Sequence, residues 1–132
     1  MTEREFEFAG RAVAAYKEIR PVVQFGDQYR LLSPYDGPVA ALMYADESKN
    51  RAAVFAYRMD YLCDQAVPKL RLDGVDVNKN YRIKDLTPAD PSRQSNLDGK
   101  LVSGRILKYV GLNVASSIGR PYASVALSLT AE

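Results

Sequence analysis

The sequence predicts a mainly β protein, in which one long N-terminal α-helix precedes an antiparallel β-sandwich. Apolar residues recur at steps of three and four from Phe6 to Val23, which is the period of a helix. From Tyr29 onward the period changes to two, which is the period of a strand. Turn residues interrupt these later segments about every 8–12 residues, as in antiparallel sandwiches. We therefore divide the chain into a helix over residues 1–26 and a β-domain over residues 27–132.

The predicted helix is amphipathic. Its apolar face carries Phe6, Ala9, Val13, Tyr16, Ile19 and Val23. Pro21 predicts a kink or break, because proline lacks an N–H and disfavours helical geometry in the residue before it. Gly26 predicts the end of the helix. An apolar face about five turns long requires a surface to lie against, and either the sandwich or another domain would supply it.

The strands follow from the alternation and from the turns between alternating segments. The predicted extended segments are Arg30–Leu32, Val39–Tyr44, Arg51–Arg58, Lys69–Leu72, Tyr81–Lys84, Leu101–Val102, Leu112–Val114 and Tyr122–Thr130. The polar residues 46–50 join the second and third segments as a hairpin. Residues 87–98 are polar and contain two prolines, which predicts a surface loop. Arg105–Val110 is predicted to be a helical turn that ends at Gly111.

The composition limits the kinds of partner. At 132 residues the chain suits one domain, and 47% hydrophobic and 26% charged residues are typical of a globular protein. The net charge is +2 and the charges are interspersed, so we expect no nucleic acid partner. No apolar run approaches the roughly 20 residues that span a bilayer, so we expect no membrane partner. The N-terminus lacks a secretory signal, but if the chain is a fragment this does not decide between a cytoplasmic and a periplasmic compartment for the parent protein.

The chain is poor in the residues that carry most enzyme chemistry. It has no histidine and one cysteine, Cys63, which excludes Ser-His and Cys-His pairs, an intrachain disulfide and a multi-cysteine zinc site. We interpret Cys63 as inert, since reactivity would require nearby cations to lower the pKa of its thiol. We therefore predict no catalytic residue, no cofactor site and no metal site.

Three polar or aromatic groups allow a functional or a structural interpretation. Asp27 and Arg30 would either contact a substrate or clamp the turn between helix and strand, and we favour the clamp. The second group is tyrosines that would either stack on a sugar or pack across the sheet, and we favour packing. These are Tyr35, Tyr44 and Tyr57. The charges from Lys79 to Lys84 are interpreted as a solvated strand face.

Several motifs, in order, carry a family resemblance. The first and most specific joins the helix to the first strand, with the sequences YKEIR from Tyr16 and QFGDQYRLLSP from Gln24. AAVFAYR follows from Ala52, LRLDGVD from Leu70 and YRI from Tyr81. The last comprises Ser103-Gly104, Ile106-Leu107 and Val110-Gly111-Leu112. From about Phe6 to its end the chain resembles the C-terminal region of family 36 glycoside hydrolases, the bacterial α-galactosidases. Two departures are Val75 in place of the usual leucine and Arg105-Ile106-Leu107 in place of a more acidic run.

The resemblance implies that the helix is the last helix of a (β/α)₈ barrel and that the β-domain follows that barrel. Members of the family are retaining glycosidases with two aspartates on barrel strands, and such a pair lies roughly 5–5.5 Å apart. The nucleophile of relatives lies in a Lys-aromatic-Asp motif. Asp60, Asp73 and Asp85 lack that context. Both catalytic aspartates are therefore expected upstream of Met1, and the chain alone is expected to be inactive.

These observations favour a non-catalytic C-terminal domain fragment of an α-galactosidase-type enzyme, which supports the barrel and its oligomer. The expected partners are the catalytic barrel of the parent chain and a second copy, bound through the exposed helix. The alternative is a free-standing carbohydrate-binding β-sandwich module, against which the absence of tryptophan counts. An unrelated small interaction domain is a third hypothesis, which the first motif disfavours.

Overall fold

Helices and strands follow one another in an order that puts the long helix before the sheet. The computed structural model describes residues 3–32, 39–58, 69–86, 97–114 and 124–132. In these ranges the elements are α1 (Glu3–Phe25), β1 (Asp27–Leu32), β2 (Val39–Ala45), β3 (Arg51–Arg58), β4 (Asn80–Asp85), β5 (Leu101–Ser103), α2 (Gly104–Tyr109) and β6 (Ser124–Ala131). The predicted fold class, mainly antiparallel β behind one long N-terminal helix, is confirmed.

The six strands of the described ranges form a sheet in the order β1-β2-β3-β6-β4-β5. All neighbouring strands are antiparallel. The last strand lies in the middle of the sheet, where Leu127 is opposite Val54 of β3 on one side and opposite Asp85 of β4 on the other. The predicted β2–β3 hairpin is confirmed, with Ala45 opposite Ala52 at the turn.

One face of the sheet, here called the inner face, carries the hydrophobic core. Its side chains alternate along each strand with residues of the other face, and the largest of them are fully buried. These are Met43, Val54, Tyr81, Ile83, Leu127 and Leu129. A second layer covers them, formed by residues 69–76, α2 and residues 111–114. Its buried members are Leu70, Leu72, Val75, Leu107, Leu112 and Val114. The core therefore lies between two layers, as in a β-sandwich.

The helix ends before Gly26 as predicted, but the break at Pro21 and two predicted strands are wrong. Helix α1 continues through Pro21 to Phe25, so the predicted break is absent. The missing proline N–H is tolerated because Ile19 and Val22, on either side of it, are buried against the sheet. The predicted strands Lys69–Leu72 and Leu112–Val114 form only an isolated bridge between Leu70 and Leu112. It goes no further because the Leu72 N–H donates to the Leu107 carbonyl of α2, 2.9 Å away.

Tyr81 fastens two turns together at one end of the sheet. Its hydroxyl donates to the Lys49 carbonyl at 2.6 Å and accepts from the Asp76 N–H at 2.9 Å. Lys49 has a φ of 58°, in the left-handed region. Beside it, Lys79 Nζ donates to the Ser48 carbonyl at 2.6 Å. Burial raises the pKa of Tyr81, because the charged phenolate would lose its hydration.

Candidate interdomain interface

The opposite face of the sheet, here called the outer face, carries α1. The helix contacts β2 and β3, and Ile19 and Val22 are its buried apolar residues in the described part. Ala53 and Ser128 are paired on the outer face and are also buried. Their small side chains allow the helix to approach the sheet closely. Ile19 and Val22 therefore belong to the domain's own packing, while Phe25 at the end of the helix is exposed.

Glu18 supplies the polar part of this contact. Its carboxylate oxygen Oε2 accepts from Lys84 Nζ of β4 at 2.9 Å. Its backbone carbonyl accepts from Arg51 Nη2 of β3 at 2.6 Å. One helical residue is thus held by two strands, which fixes the position of the helix across the sheet.

Gly26 forms the junction between α1 and β1. Its N–H donates to the Val22 carbonyl at 2.8 Å. A Cβ at this position would meet the Val22 carbonyl oxygen and lie 2.6 Å from the carbonyl oxygen of Ala45. Both obstacles are backbone atoms, which cannot rotate away. A glycine is therefore required for the helix end to come this close to β2.

The rest of α1 extends away from these contacts. Phe6, Val13 and Tyr16 are 72%, 53% and 51% exposed. They belong to the apolar face that the sequence predicts, whereas Val22, which the sheet covers together with Ile19, lies on another side of the helix and outside that predicted face. A helix side of this kind is typical of a surface that another protein layer covers.

Aromatic side chains extend the apolar surface onto the outer face. The rings of Tyr44 and Phe55 lie with centroids 6.2 Å apart and planes 80° apart, so they meet edge to face. The packing interpretation of Tyr44 is confirmed. Tyr57, two residues along β3 from Phe55, is 43% exposed. Tyr35 lies outside the described residues.

The other residues proposed from the sequence are not brought together. Asp27 and Arg30 do not face each other: β1 begins at Asp27, so residues three apart point to opposite faces of the strand, and both are exposed. Arg82 and Lys84 lie on an exposed strand face as predicted. They are nevertheless paired, Lys84 with Glu18 and Arg82 with Glu132 at 3.0 Å. The hydrogen bond from Arg82 lowers the pKa of Glu132. Cys63 lies outside the described residues.

The described residues offer neither a metal-binding cluster nor a membrane-spanning helix. Over the described ranges no group of three or more Cys, Asp or Glu side chains is placed to hold a metal ion. None of the described helices combines the length and apolar character that crossing a membrane requires.

Sequence reasoning missed the contacts of Glu18. Arg51 is 33 residues away from Glu18 and Lys84 is 66 residues away, and single charges on a helix or strand carry no signal of such pairing. The sequence does contain a signal for the Gly26 junction, because a glycine that ends a helix directly before a strand indicates a tight connection.

Comparison with known proteins identifies the domain. The family model described as the glycosyl hydrolase family 36 C-terminal domain matches residues 39–129. Over 86 residues the chain is 40% identical to α-galactosidase AgaA of Geobacillus stearothermophilus. The aligned segment covers 65% of this chain and 12% of AgaA. The chain is also 33% identical over 82 residues to α-galactosidase Mel36A of Lactobacillus acidophilus. This aligned segment covers 62% of this chain and 11% of Mel36A.

Solved structures give the same result. This chain superimposes on the crystal structure of the family 36 α-galactosidase AgaB of Geobacillus stearothermophilus with a TM-score of 0.81 and 32% sequence identity. The superposition covers 100% of this chain and 16% of the AgaB chain. The chain thus spans about an eighth of the length of the curated relatives named here.

The fold and the α1 contact define a β-sandwich-like domain with a leading helix. This chain belongs to the family of glycosyl hydrolase family 36 C-terminal domains.

Proposed function

We propose that this chain is the non-catalytic C-terminal domain of an α-galactosidase-type enzyme. Residues 1–26 are the last helix of the catalytic (β/α)₈ barrel, and residues 27–132 are the β-domain that supports the barrel. The observation that carries the proposal is the contrast along α1. Ile19 and Val22 in its C-terminal half are buried on the sheet, while Phe6, Val13 and Tyr16 remain exposed on the same helix. The named relatives, all α-galactosidases of much greater length, support this assignment.

The role of the domain is mechanical. Glu18 and Gly26 hold α1 against β2, β3 and β4, so the sheet restrains the end of the barrel. Both catalytic aspartates lie upstream, and none of this chain's residues takes part in the reaction. Hydrolysis of α-galactosides is therefore a property of the whole enzyme.

The test uses the isolated chain and a chimaera. In the chimaera, this chain replaces the matching segment of AgaA from Geobacillus stearothermophilus. We expect the chimaera to cleave a nitrophenyl α-galactoside and the isolated chain to show no cleavage. Appreciable cleavage by the isolated chain, or an AgaA chimaera that folds no better than AgaA truncated at the same point, would contradict the proposal.

We further propose that the isolated chain self-associates through the exposed part of α1. Apolar side chains without cover favour association. Sedimentation should show dimers whose dissociation constant increases when Val13 is changed to Lys. The matched control is Lys17→Arg, on an exposed residue of the same helix. A monomer at all concentrations would contradict this proposal.

The alternative of a free-standing carbohydrate-binding module has weaker support. Tyr44 and Phe55 stand edge to face, and so do not form the flat platform on which a sugar ring stacks. Calorimetric titration with galactose and raffinose decides between the two functions: saturable binding by the isolated chain favours the module.

A further inference from the structure

The tripeptide Leu-Asp-Gly occurs twice in the described residues, at positions 72–74 and at positions 97–99. In both copies the leucine is buried in the core. An Asp-Gly bond is a favoured site of succinimide formation, because glycine has no side chain to shield its nitrogen. The two copies share this local chemistry, so their surroundings decide which of them reacts. A third Asp-Gly bond, at Asp36 and Gly37, lies outside the described residues.

The second copy is held at both of the atoms that would react. Asp98 Oδ1 accepts from the Asp85 N–H at 2.8 Å. The Gly99 N–H donates to the Ile83 carbonyl at 2.7 Å. Both partners belong to β4, a strand inside the sheet. Attack of the Gly99 nitrogen on the Asp98 side chain therefore requires two hydrogen bonds to break first.

The first copy is held much less firmly. Asp73 is exposed, and its side chain makes no hydrogen bond or ion pair with the described residues. The Gly74 N–H donates to Met43 Sδ at 3.4 Å, and a thioether sulfur is a weak acceptor. The atoms nearest to a Cβ built on Gly74 belong to the side chains of Tyr29 and Met43. Side chains can rotate away, so they restrain the Gly74 backbone less than a strand does.

We infer that Asp73 is a site of spontaneous isomerisation to isoaspartate in the folded protein, and that Asp98 is protected from the same reaction. The Gly74 nitrogen attacks the side-chain carboxyl carbon of Asp73, and a C–N bond forms. The proton of the nitrogen and a carboxyl hydroxyl leave together as water. Water then opens the five-membered succinimide at either carbonyl, which returns aspartate or gives isoaspartate. The sequence of steps needs no oxidant or reductant and leaves the mass of the chain unchanged.

The isomerised bond lies directly beside the core. Isoaspartate carries the backbone through its side chain, which adds one methylene to the chain between Leu72 and Gly74. Leu72 is fully buried, and its N–H donates to the Leu107 carbonyl at 2.9 Å. The modification therefore disturbs the second layer of the sandwich. The inference is independent of the proposed function, because it concerns two turns of the β-domain and no contact of α1.

The test follows isoaspartate formation in the folded chain and in concentrated urea, at the same temperature and pH. Trypsin releases the two copies in the separate peptides 72–79 and 94–100, and electron-transfer fragmentation locates isoaspartate in each. In the folded chain we expect about tenfold more isoaspartate at Asp73 than at Asp98, which is the effect of two hydrogen bonds of ordinary strength. In urea we expect similar amounts at both positions, because the tripeptides are identical.

The control variant is Asp73→Glu. Ring closure by the longer side chain is slower, so isoaspartate should disappear from peptide 72–79 while the amount at Asp98 stays the same. Peptide 72–79 also contains Asp76, whose neighbour Val77 has a branched side chain that shields its nitrogen. A signal that persists in the Asp73→Glu variant would belong to Asp76 and would overturn the inference.

Three further results also overturn it. They are equal amounts of isoaspartate at Asp73 and Asp98 in the folded chain, a larger amount at Asp98, and no isoaspartate at Asp73. A tenfold difference that persists in urea counts against the inference in the same way, since the sequence alone would then explain it. Each of these results leaves the proposed function intact.

Discussion

Lys84 Nζ of strand β4 lies 2.9 Å from Glu18 Oε2 of helix α1. The pair joins residues 66 positions apart and spans the outer face of the sheet. Both side chains are more than a third exposed, so water and salt weaken their attraction. The pair positions the helix, while Ile19 and Val22 supply most of the free energy of the contact.

Replacing Lys84 should therefore have a small effect that depends on salt. We expect Lys84→Met to lower the free energy of unfolding by about 0.2–1 kcal/mol at low ionic strength. The difference should decrease in 1 M NaCl, where the Debye length is about 3 Å. Urea unfolding measures both values. Lys100→Met, at another exposed lysine, is the control, and an equal loss in both variants would show that the ion pair contributes nothing.

The apolar contacts of α1 should differ strongly along the helix. Ile19→Ala removes buried methyl groups and should cost about 2–5 kcal/mol of unfolding free energy in the isolated chain. Val13→Ala, on the exposed half of the same helix, should change it by less than about 0.5 kcal/mol. Chemical denaturation followed by fluorescence of the tyrosines measures both. Equal costs for the two variants would contradict the one-ended attachment of α1.

The junction at Gly26 should not tolerate a side chain. Gly26→Ala places a methyl group against two backbone carbonyl oxygens, so we expect a loss of about 1–3 kcal/mol or more in unfolding free energy. Gly10→Ala adds the same methyl group where no atom is near and should stabilise the helix by up to about 1 kcal/mol. Thermal unfolding of the two alanine variants compares one chemical change in two environments. A neutral Gly26→Ala would mean that helix and strand can separate at no cost.

Tyr81 should make the domain sensitive to alkali. Burial raises the pKa of its hydroxyl in the folded state. Below the unfolded value of about 10 both states hold the proton, and the contribution to stability is complete. Above that value the unfolded chain loses its proton first, so the free energy of unfolding falls as pH rises toward the folded pKa. Urea unfolding between pH 8 and 11 should show a steeper fall for the natural chain than for Tyr81→Phe.

At neutral pH the same variant reports on the two hydrogen bonds. Tyr81→Phe leaves the Lys49 carbonyl and the Asp76 N–H without their partner, at a cost of about 1–3 kcal/mol. Tyr109→Phe, at a tyrosine that is 62% exposed, is the control and should change neither stability nor pH dependence. A Tyr81→Phe chain with unchanged stability would show that water replaces the hydroxyl.

Local patterns predict the elements of this domain well and their arrangement poorly. The period of two places β2, β3 and β4 within a residue or two, because alternation of burial is visible in any single strand. The position of β6 between β3 and β4 has no local signal, since it depends on contacts between distant segments. The alternation in Lys69–Leu72 likewise predicts a strand, because the hydrogen bond from the Leu72 N–H to α2 depends on a distant segment and has no local signal.

The interface between α1 and the sheet is also predictable from the sequence only in part. The apolar face of α1 is visible in the sequence because it depends only on spacing. Which side of the helix contacts the sheet depends on Glu18, Arg51 and Lys84, whose pairing is set by the fold. The sequence likewise gives no sign that the position of a Cβ on Gly10 is open, which is known only from the structure.

The central position of β6 has a consequence for synthesis of the protein. β3 and β4 are both made before β6. Each has β6 as one of its two neighbours, so one edge of each strand stays unpaired until residues Ser124–Ala131 have been made. On the ribosome the sheet therefore remains open until that strand has emerged, and hydrophobic edges stay unpaired for as long as translation of the intervening residues lasts. Any domain encoded upstream would have completed its own folding by then. It could offer α1 a finished surface before the sheet closes behind it.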